Sequence, residues 1–86
     1  MKKAKRKTKS PRAPGIVDAY IGVRMRESRL ALNMSQESLG QVLGVSFQQI
    51  QRYESGRNRV SAARLFEICE ALEVSLESMF ERKPNT

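Results

Sequence analysis

The residues best suited to chemistry lie close together in the middle of the chain, between Ser46 and Gly56. On a helix whose buried face carries Ile50, Tyr53 and Glu54, the intervening residues point outward. These outward residues are Phe47, Gln48, Gln51, Arg52 and Ser55. Glutamine can pair through two hydrogen bonds with N6 and N7 of adenine, and arginine with O6 and N7 of guanine. This outward row of residues therefore predicts direct reading of base edges in the major groove of DNA.

Phe47 is open to two interpretations. It lies three residues before Ile50, so its ring can pack at the edge of the core. Exposed beside Gln48, the same ring can instead contact a thymine methyl group, which is the interpretation we favour. Each outward side chain taken singly is more typical of a solvated helix face, so the prediction of base reading rests on the whole row.

Apolar residues at helical spacing and recurrent serines predict five short helices around this row. The first spans roughly 17–32 and buries one face, formed by Ile21, Met25, Arg29 and Leu32. The others begin at serine N-caps, namely Ser35, Ser46, Ser61 and Ser75. No segment alternates with period two for long, so the sequence predicts an all-α fold, a compact five-helix bundle.

The remaining predicted helices contribute mainly aliphatic side chains to the interior. The second helix carries Leu39, Val42 and Leu43 and ends at Gly44, a residue suited to the left-handed position after a helix. The inward residues of the fourth are Leu65, Ile68, Cys69 and Leu72, and the fifth carries Leu76, Met79 and Phe80. At such a position Cys69 is interpreted as a small apolar filler.

The second and third helices are joined by the three-residue turn Gly44-Val45-Ser46, which is the spacing of a helix-turn-helix. In so tight a turn the helices cross closely, and we expect a side chain larger than alanine at Gly40 to collide with the third helix. An ordinary corner between two helices that binds nothing has the same spacing. The charge distribution and the outward row favour a DNA-binding motif.

Arg29 lies on the apolar face of the first helix, which is a costly place for an unpaired charge. Glu54, on the inward side of the third helix, is the expected partner. We therefore predict a structural ion pair between Arg29 and Glu54 rather than a DNA contact for either residue.

The 86-residue chain has a net charge of +7, and residues 1–15 alone contain seven basic and no acidic side chains. Segment 1–15 is predicted to be a disordered basic tail, and 16–86 a single helix-turn-helix domain. Seven arginines oppose three glutamates between Arg24 and Arg64, which indicates a polyanionic partner. The tail either tracks phosphates or enters a minor groove beside the domain, or it adds only non-specific attraction.

Composition excludes several other classes of protein. The chain has no histidine and a single cysteine, so neither a metal site nor a catalytic constellation is evident, and no cofactor or small-molecule ligand is implied. No apolar run approaches the roughly 18 residues of a membrane helix. The expectation is a soluble, cytoplasmic protein of bacterial or phage type that is not an enzyme.

Four sequence motifs follow one another in a specific order. They are Ser-Gln-Glu-x-Leu-Gly from Ser35, Gly-Val-Ser from Gly44, Tyr-Glu-x-Gly from Tyr53, and Leu-x-x-Ile-x-x-x-Leu-x-Val from Leu65. Residues 21–80, about 60 of the 86, thereby resemble the Cro/phage-repressor (XRE-like) type of helix-turn-helix regulator. The resemblance implies a five-helix fold, double-stranded DNA operators and usually a homodimer.

The resemblance also implies roles for individual residues. Phe47, Gln48 and Arg52 match base-reading positions, while Gln36 matches a residue that bonds a phosphate and braces the first side chains of the recognition helix. The full set of expected phosphate contacts is Ser35, Gln36, Ser55, Arg57, Asn58 and Arg59. Two departures are Gly40 in place of the more usual alanine, and Val60 where proline is frequent.

These observations predict a sequence-specific regulator of transcription, a repressor or dual regulator, that binds a two-fold operator as a homodimer. Dimerisation is expected to use Leu76, Met79 and Phe80, although a cluster of that size can equally complete the monomer core. The alternative is a protein-binding adaptor or antitoxin-type module that uses the same fold.

Overall fold

The computed structural model describes residues 15–81, which contain four α-helices and one 3-10 helix. In chain order they are α1 (Ile16–Ala31), α2 (Gln36–Leu43), α3 (Phe47–Glu54), α4 (Ala62–Leu72) and the 3-10 helix (Glu77–Phe80). No strand occurs between residues 15 and 81, and the predicted all-α class is confirmed. The predicted basic tail lies outside the described residues apart from Gly15, the N-cap of α1.

The predicted fifth α-helix is wrong, because its segment forms only a four-residue 3-10 helix. The backbone N–H of Ser78 donates to Ser75 O, and that of Met79 donates to Leu76 O, both at a distance of 3.1 Å. These are the i to i+3 bonds of a 3-10 helix, a geometry that rarely extends beyond one turn. Glu81, directly after it, is already extended, which ends the helix.

Serine side chains begin three of the four α-helices, as the sequence predicts. Each serine hydroxyl accepts a hydrogen bond from the third backbone N–H of the helix that follows it. The distances are 2.9 Å for Ser35 and α2, 3.1 Å for Ser46 and α3, and 3.1 Å for Ser61 and α4. Each bond satisfies a donor that the helix cannot satisfy itself. Gly44 ends α2 with φ of 77°, a left-handed conformation that glycine adopts without strain. These caps limit α2 and α3 to eight residues each.

The core gathers apolar side chains from all five elements. Its members are Ile21, Met25, Leu39, Ile50, Tyr53, Leu65, Ile68, Cys69, Leu72 and Met79. Burial raises the pKa of the Cys69 thiol above its usual value, since the thiolate would be poorly solvated there. Cys69 thus occupies the core position that the sequence predicted.

Two residues of the first two predicted helices that were expected to be inward are exposed. Leu32 lies just beyond the end of α1, as its C-cap, so it does not continue the buried face. Val42 is exposed because α2 buries the face that contains Leu39 and Gly40, and each residue along a helix turns by about 100°. Both deviations come from the edges of an apolar stripe.

Two glycines allow a neighbouring helix to approach the backbone closely at the two ends of α3. Gly40 of α2 lies against the turn before α3, and Gly22 of α1 lies against the last residues of α3. A β-carbon at Gly40 would lie 2.6 Å from Val45 O, so even alanine is crowded there, not only the larger side chains that the sequence excluded. A β-carbon at Gly22 would lie 2.5 Å from the carbonyl oxygens of both Tyr53 and Glu54. α3 is packed against α1 and α2, and its opposite face remains in solvent.

Candidate nucleic-acid interface

The exposed face of α3 carries the row that the sequence singled out. Ile50, Tyr53 and Glu54 are buried on its inner side. The residues exposed on its outer side are Phe47, Gln48, Gln51, Arg52 and Ser55. Four of these residues, together with Arg57, line one shallow depression in the surface. Amide, guanidinium and hydroxyl groups are therefore presented together on the exposed side of a short helix.

Phe47, the first residue of α3, lies outside the core cluster and is 38% exposed. Ser46 immediately before it is the N-cap, so Phe47 belongs to the first helical turn. Phe47 thus lies at the end of the row where α3 begins.

A buried network fixes the other end of α3. Arg29 Nε donates to Glu54 Oε2 at a distance of 2.7 Å, and Arg29 Nη2 donates to Glu54 Oε1 at 3.0 Å. The remaining nitrogen, Nη1, donates to the backbone oxygen of Met34 over 2.8 Å. Because both partners are hydrogen-bonded, this pair joins α1, α3 and the α1–α2 loop without an unpaired buried charge.

Gln36 joins the same network. Its side-chain amide, at the first residue of α2, donates to Glu54 Oε1 over 3.1 Å. The resemblance implied that Gln36 braces the first side chains of the recognition helix. In the structure it contacts the last residue of α3, and it is half-buried.

The loop between α3 and α4 is a compact turn closed on Arg52 O. The backbone N–H groups of Arg57 and Asn58 donate to this oxygen over 3.0 and 3.1 Å, and Ser55 Oγ donates to it over 3.3 Å. Gly56 enables the turn with φ of 79°. The side chain of Arg57 is exposed, whereas Asn58 is half-buried.

Arg59, which was predicted to contact phosphate, forms an ion pair that sequence reasoning missed. Its Nε donates to Asp18 Oδ1 and Oδ2 over 3.2 and 3.3 Å. The Asp18 carboxylate also accepts a 2.7 Å bond from the backbone N–H of Gly15. The Gly15 N–H, and then the Arg59 guanidinium, hold the pKa of the Asp18 carboxyl below its ordinary value, although burial opposes them.

Ser35 and the start of α2 form the remaining predicted phosphate contact. The Ser35 hydroxyl accepts from the Ser38 backbone N–H and donates to Ser38 Oγ over 3.1 Å. Ser35 is exposed, and helix N-termini attract anions because their first N–H groups point outward.

The three predicted dimerisation residues divide between core and surface. Met79 is completely buried, whereas Leu76 and Phe80 are about half-exposed. Arg24 Nε donates to Ser78 O over 2.9 Å, which ties the 3-10 helix to α1. The 3-10 helix thus completes the monomer core with one side chain and leaves the other two in solvent.

Within residues 15–81, no helix is long and apolar enough to cross a membrane. The same residues contain no cluster of acidic, histidine or cysteine side chains that could hold a metal ion.

The family model of the helix-turn-helix matches residues 25–79, which include α2, the turn and α3. The chain belongs to the Cro/phage-repressor (XRE-like) family of helix-turn-helix transcriptional regulators. This family consists of DNA-binding regulators of transcription rather than enzymes, and the resemblance inferred from the motifs is confirmed.

Relatives and solved structures agree with this family. One relative, from Rhodospirillum rubrum, is named as an uncharacterized transcriptional regulator in the ATPase CF(0) region. The two sequences are 55% identical over 64 residues, and the match covers 74% of this chain and 59% of the relative. The restriction-modification controller protein C.AhdI of Aeromonas hydrophila superposes with a TM-score of 0.68 at 29% identity, over 72% of this chain and 94% of that one. The chain spans about half the length of the curated relatives that it matches.

The P22 c2 repressor protein, solved in complex with a synthetic operator, superposes with a TM-score of 0.64 at 29% identity. The match covers 69% of this chain and 89% of that one.

Proposed function

We propose that this chain binds double-stranded DNA operators sequence-specifically and regulates transcription, as a repressor or dual regulator. In this proposal α3 lies in the major groove, α2 crosses the phosphate backbone, and the α3–α4 loop contacts phosphates. The observation that carries it is the exposed row of Gln48, Gln51 and Arg52 on a helix whose opposite face is buried. Glutamine and arginine are the side chains that pair through two hydrogen bonds with adenine and guanine.

The charge distribution supports this orientation. Arg52, Arg57 and Arg59 lie on α3 and the loop after it, where the proposal places DNA phosphates. The acidic residues from α4 onward are Glu67, Glu70, Glu73, Glu77 and Glu81. A polyanion is attracted to the first region and repelled by the second, so the charges favour the docking that the outward row requires.

The operator seen with the P22 c2 repressor supports a DNA partner for this chain. We extend the proposal to a homodimer on a two-fold operator, with half-sites separated by about one helical turn, roughly 34 Å. Leu76 and Phe80 are the apolar side chains proposed for the dimer contact. An operator-binding role also implies a cytoplasmic location, where bacterial or phage operators are found.

The beginning of α1 suggests a place for the basic tail. Asp18 pairs with Arg59, and Gly56 packs so closely on Ala19 that a β-carbon would lie 2.8 Å from Ala19 Cα. Gly15 therefore lies on the same side of the domain as the α3–α4 loop. We propose that residues 1–14 reach DNA beside this loop, and deleting residues 2–12 tests it. Lost footprint protection next to the core site is expected, and an unchanged footprint would limit the tail to non-specific attraction.

Selection of bound sites from random duplex DNA tests the proposed function. The wild-type protein should enrich one motif, and Gln48→Ala and Arg52→Ala should each relax the preference at a distinct base position. Gln41→Ala and Arg26→Ala are matched controls, since both residues are exposed but lie on α2 and α1 outside the row. No enrichment, or an unchanged motif in both row variants, would contradict the proposal and favour the protein-binding alternative.

A further inference from the structure

We propose that Asp18 is a positioning residue of the DNA interface, which orients Arg59 of the α3–α4 loop toward the phosphate backbone. This inference rests on the proposed function and adds a residue from α1, an element to which no DNA contact has been assigned. Asp18 does not touch DNA in this proposal but acts through the guanidinium that it holds.

The ion pair joins a largely buried carboxylate to a half-exposed guanidinium. The Asp18 side chain is 12% exposed, whereas that of Arg59 is 49% exposed. The carboxylate is held on its own helix by the 2.7 Å bond from the Gly15 N–H. Arg59 Nε approaches both carboxylate oxygens, at 3.2 and 3.3 Å.

The hydrogen bonds from Arg59 Nε to Asp18 restrict the rotation of the planar guanidinium at the end of a long side chain. An arginine side chain has several rotatable bonds, and freezing them on binding has an entropic cost. A guanidinium that is held in place before binding avoids part of this cost, and its planar fork then has a defined direction. The loop itself is anchored to α1 by the close contact of Gly56 with Ala19, so helix and loop form one support for Arg59.

Positioning and simple charge predict opposite effects when the carboxylate is neutralised. Removing a negative charge near the proposed phosphate contacts would by itself strengthen binding to a polyanion. Losing a positioning residue weakens binding, although the protein has become more basic. The sign of the change in Kd therefore distinguishes the two.

The experiment compares Asp18→Asn, Arg59→Ala and the double variant with wild-type protein. Asparagine retains an oxygen that can accept from the Gly15 N–H but lacks the charge. Kd is measured at one salt concentration on a selected duplex and on a shuffled duplex, with a thermal melt of each free protein. Glu67→Gln is the matched control, because Glu67 also pairs with an arginine, Arg64 at 2.9 Å, but on the acidic α4.

We expect Asp18→Asn to weaken binding to both duplexes by about threefold to tenfold, and to cause no weakening when Arg59 is already alanine. Glu67→Gln should leave Kd unchanged. Unchanged or tighter binding by Asp18→Asn would overturn the proposal, as would an equal loss in the Arg59→Ala background. Equal binding of selected and shuffled duplexes by wild-type protein would overturn base reading instead. The Asp18 comparison still applies then, since phosphate contacts are independent of sequence.

Discussion

Arg29 of α1 and Glu54 of α3 form a two-pronged ion pair whose side chains are only 6% and 4% exposed. The two residues are 25 positions apart in the chain, and the bonds of 2.7 and 3.0 Å use both carboxylate oxygens. Glu54 is also the last residue of α3 and accepts from Gln36 of α2. One carboxylate thereby joins the three helices that determine how the outward row is presented.

Loss of either partner should destabilise the fold strongly. Glu54→Ala or Arg29→Ala leaves a buried charge without its partner, and we expect each to lower the free energy of unfolding by about 3–5 kcal/mol. Urea unfolding followed by circular dichroism measures this. Glu67→Ala removes an exposed ion pair and should cost no more than about 1 kcal/mol. An unchanged midpoint in Glu54→Ala would show that the buried pair contributes nothing to stability.

Much of the fold could be predicted because its signals are local. A serine N-cap, a glycine at φ of 77° and an apolar stripe each act within a few residues, and they define α2 and α3 closely. The fifth helix was overestimated because Leu76, Met79 and Phe80 have helical spacing, yet the segment that carries them completes only one 3-10 turn. Periodicity does not reveal how long a helix persists.

The missed features depend on contacts between distant parts of the chain. Asp18 and Arg59 are 41 residues apart, and neither lies on an apolar face that would demand a partner. Gly22 has no local role as a turn, and its necessity is apparent only when α3 packs against α1. The Arg29–Glu54 pair was accessible from sequence because a charge on an apolar stripe requires compensation.

Gly22→Ala should destabilise the domain although alanine is the better helix former. The added methyl would lie 2.5 Å from the carbonyl oxygens of Tyr53 and Glu54, which cannot move without shifting α3. We expect a net loss of about 1–3 kcal/mol in the free energy of unfolding, after a propensity gain of about 1 kcal/mol. Gly15→Ala, which has open space, is the control. A more stable Gly22→Ala protein would contradict this packing.

The Asp18 carboxyl should contribute a pH-dependent part of stability. Its pKa is lowered from 3.8 in the folded state, by the Gly15 N–H first and then by Arg59. The contribution is complete above the unfolded pKa and is lost as the pH falls through the lower, folded pKa. Urea unfolding, repeated from pH 5 downward, gives the free energy of unfolding at each pH. The values for the wild-type and Asp18→Asn proteins should converge once the pH is below the folded pKa of Asp18. Parallel curves would contradict the lowered pKa.

The half-exposed side chains of the 3-10 helix should control assembly without changing the fold. Leu76→Lys with Phe80→Lys should convert a complex of two protomers per operator duplex into a 1:1 complex, as measured by sedimentation. Met79 is left intact, so the melting temperature should change little. Leu30→Lys, at a similarly exposed apolar position on α1, is the control. A wild-type protein that forms only 1:1 complexes at saturation would exclude the proposed dimer.

Replacement of guanine by 7-deazaguanine in a selected operator tests base reading by α3 most directly. The change removes the N7 acceptor from the major groove while the phosphates and the base pair remain. At the guanine read by Arg52, wild-type protein should lose about 1–3 kcal/mol of binding free energy. Arg52→Ala should bind normal and substituted duplexes equally. No loss in the wild type, or the same loss in both proteins, would contradict the account.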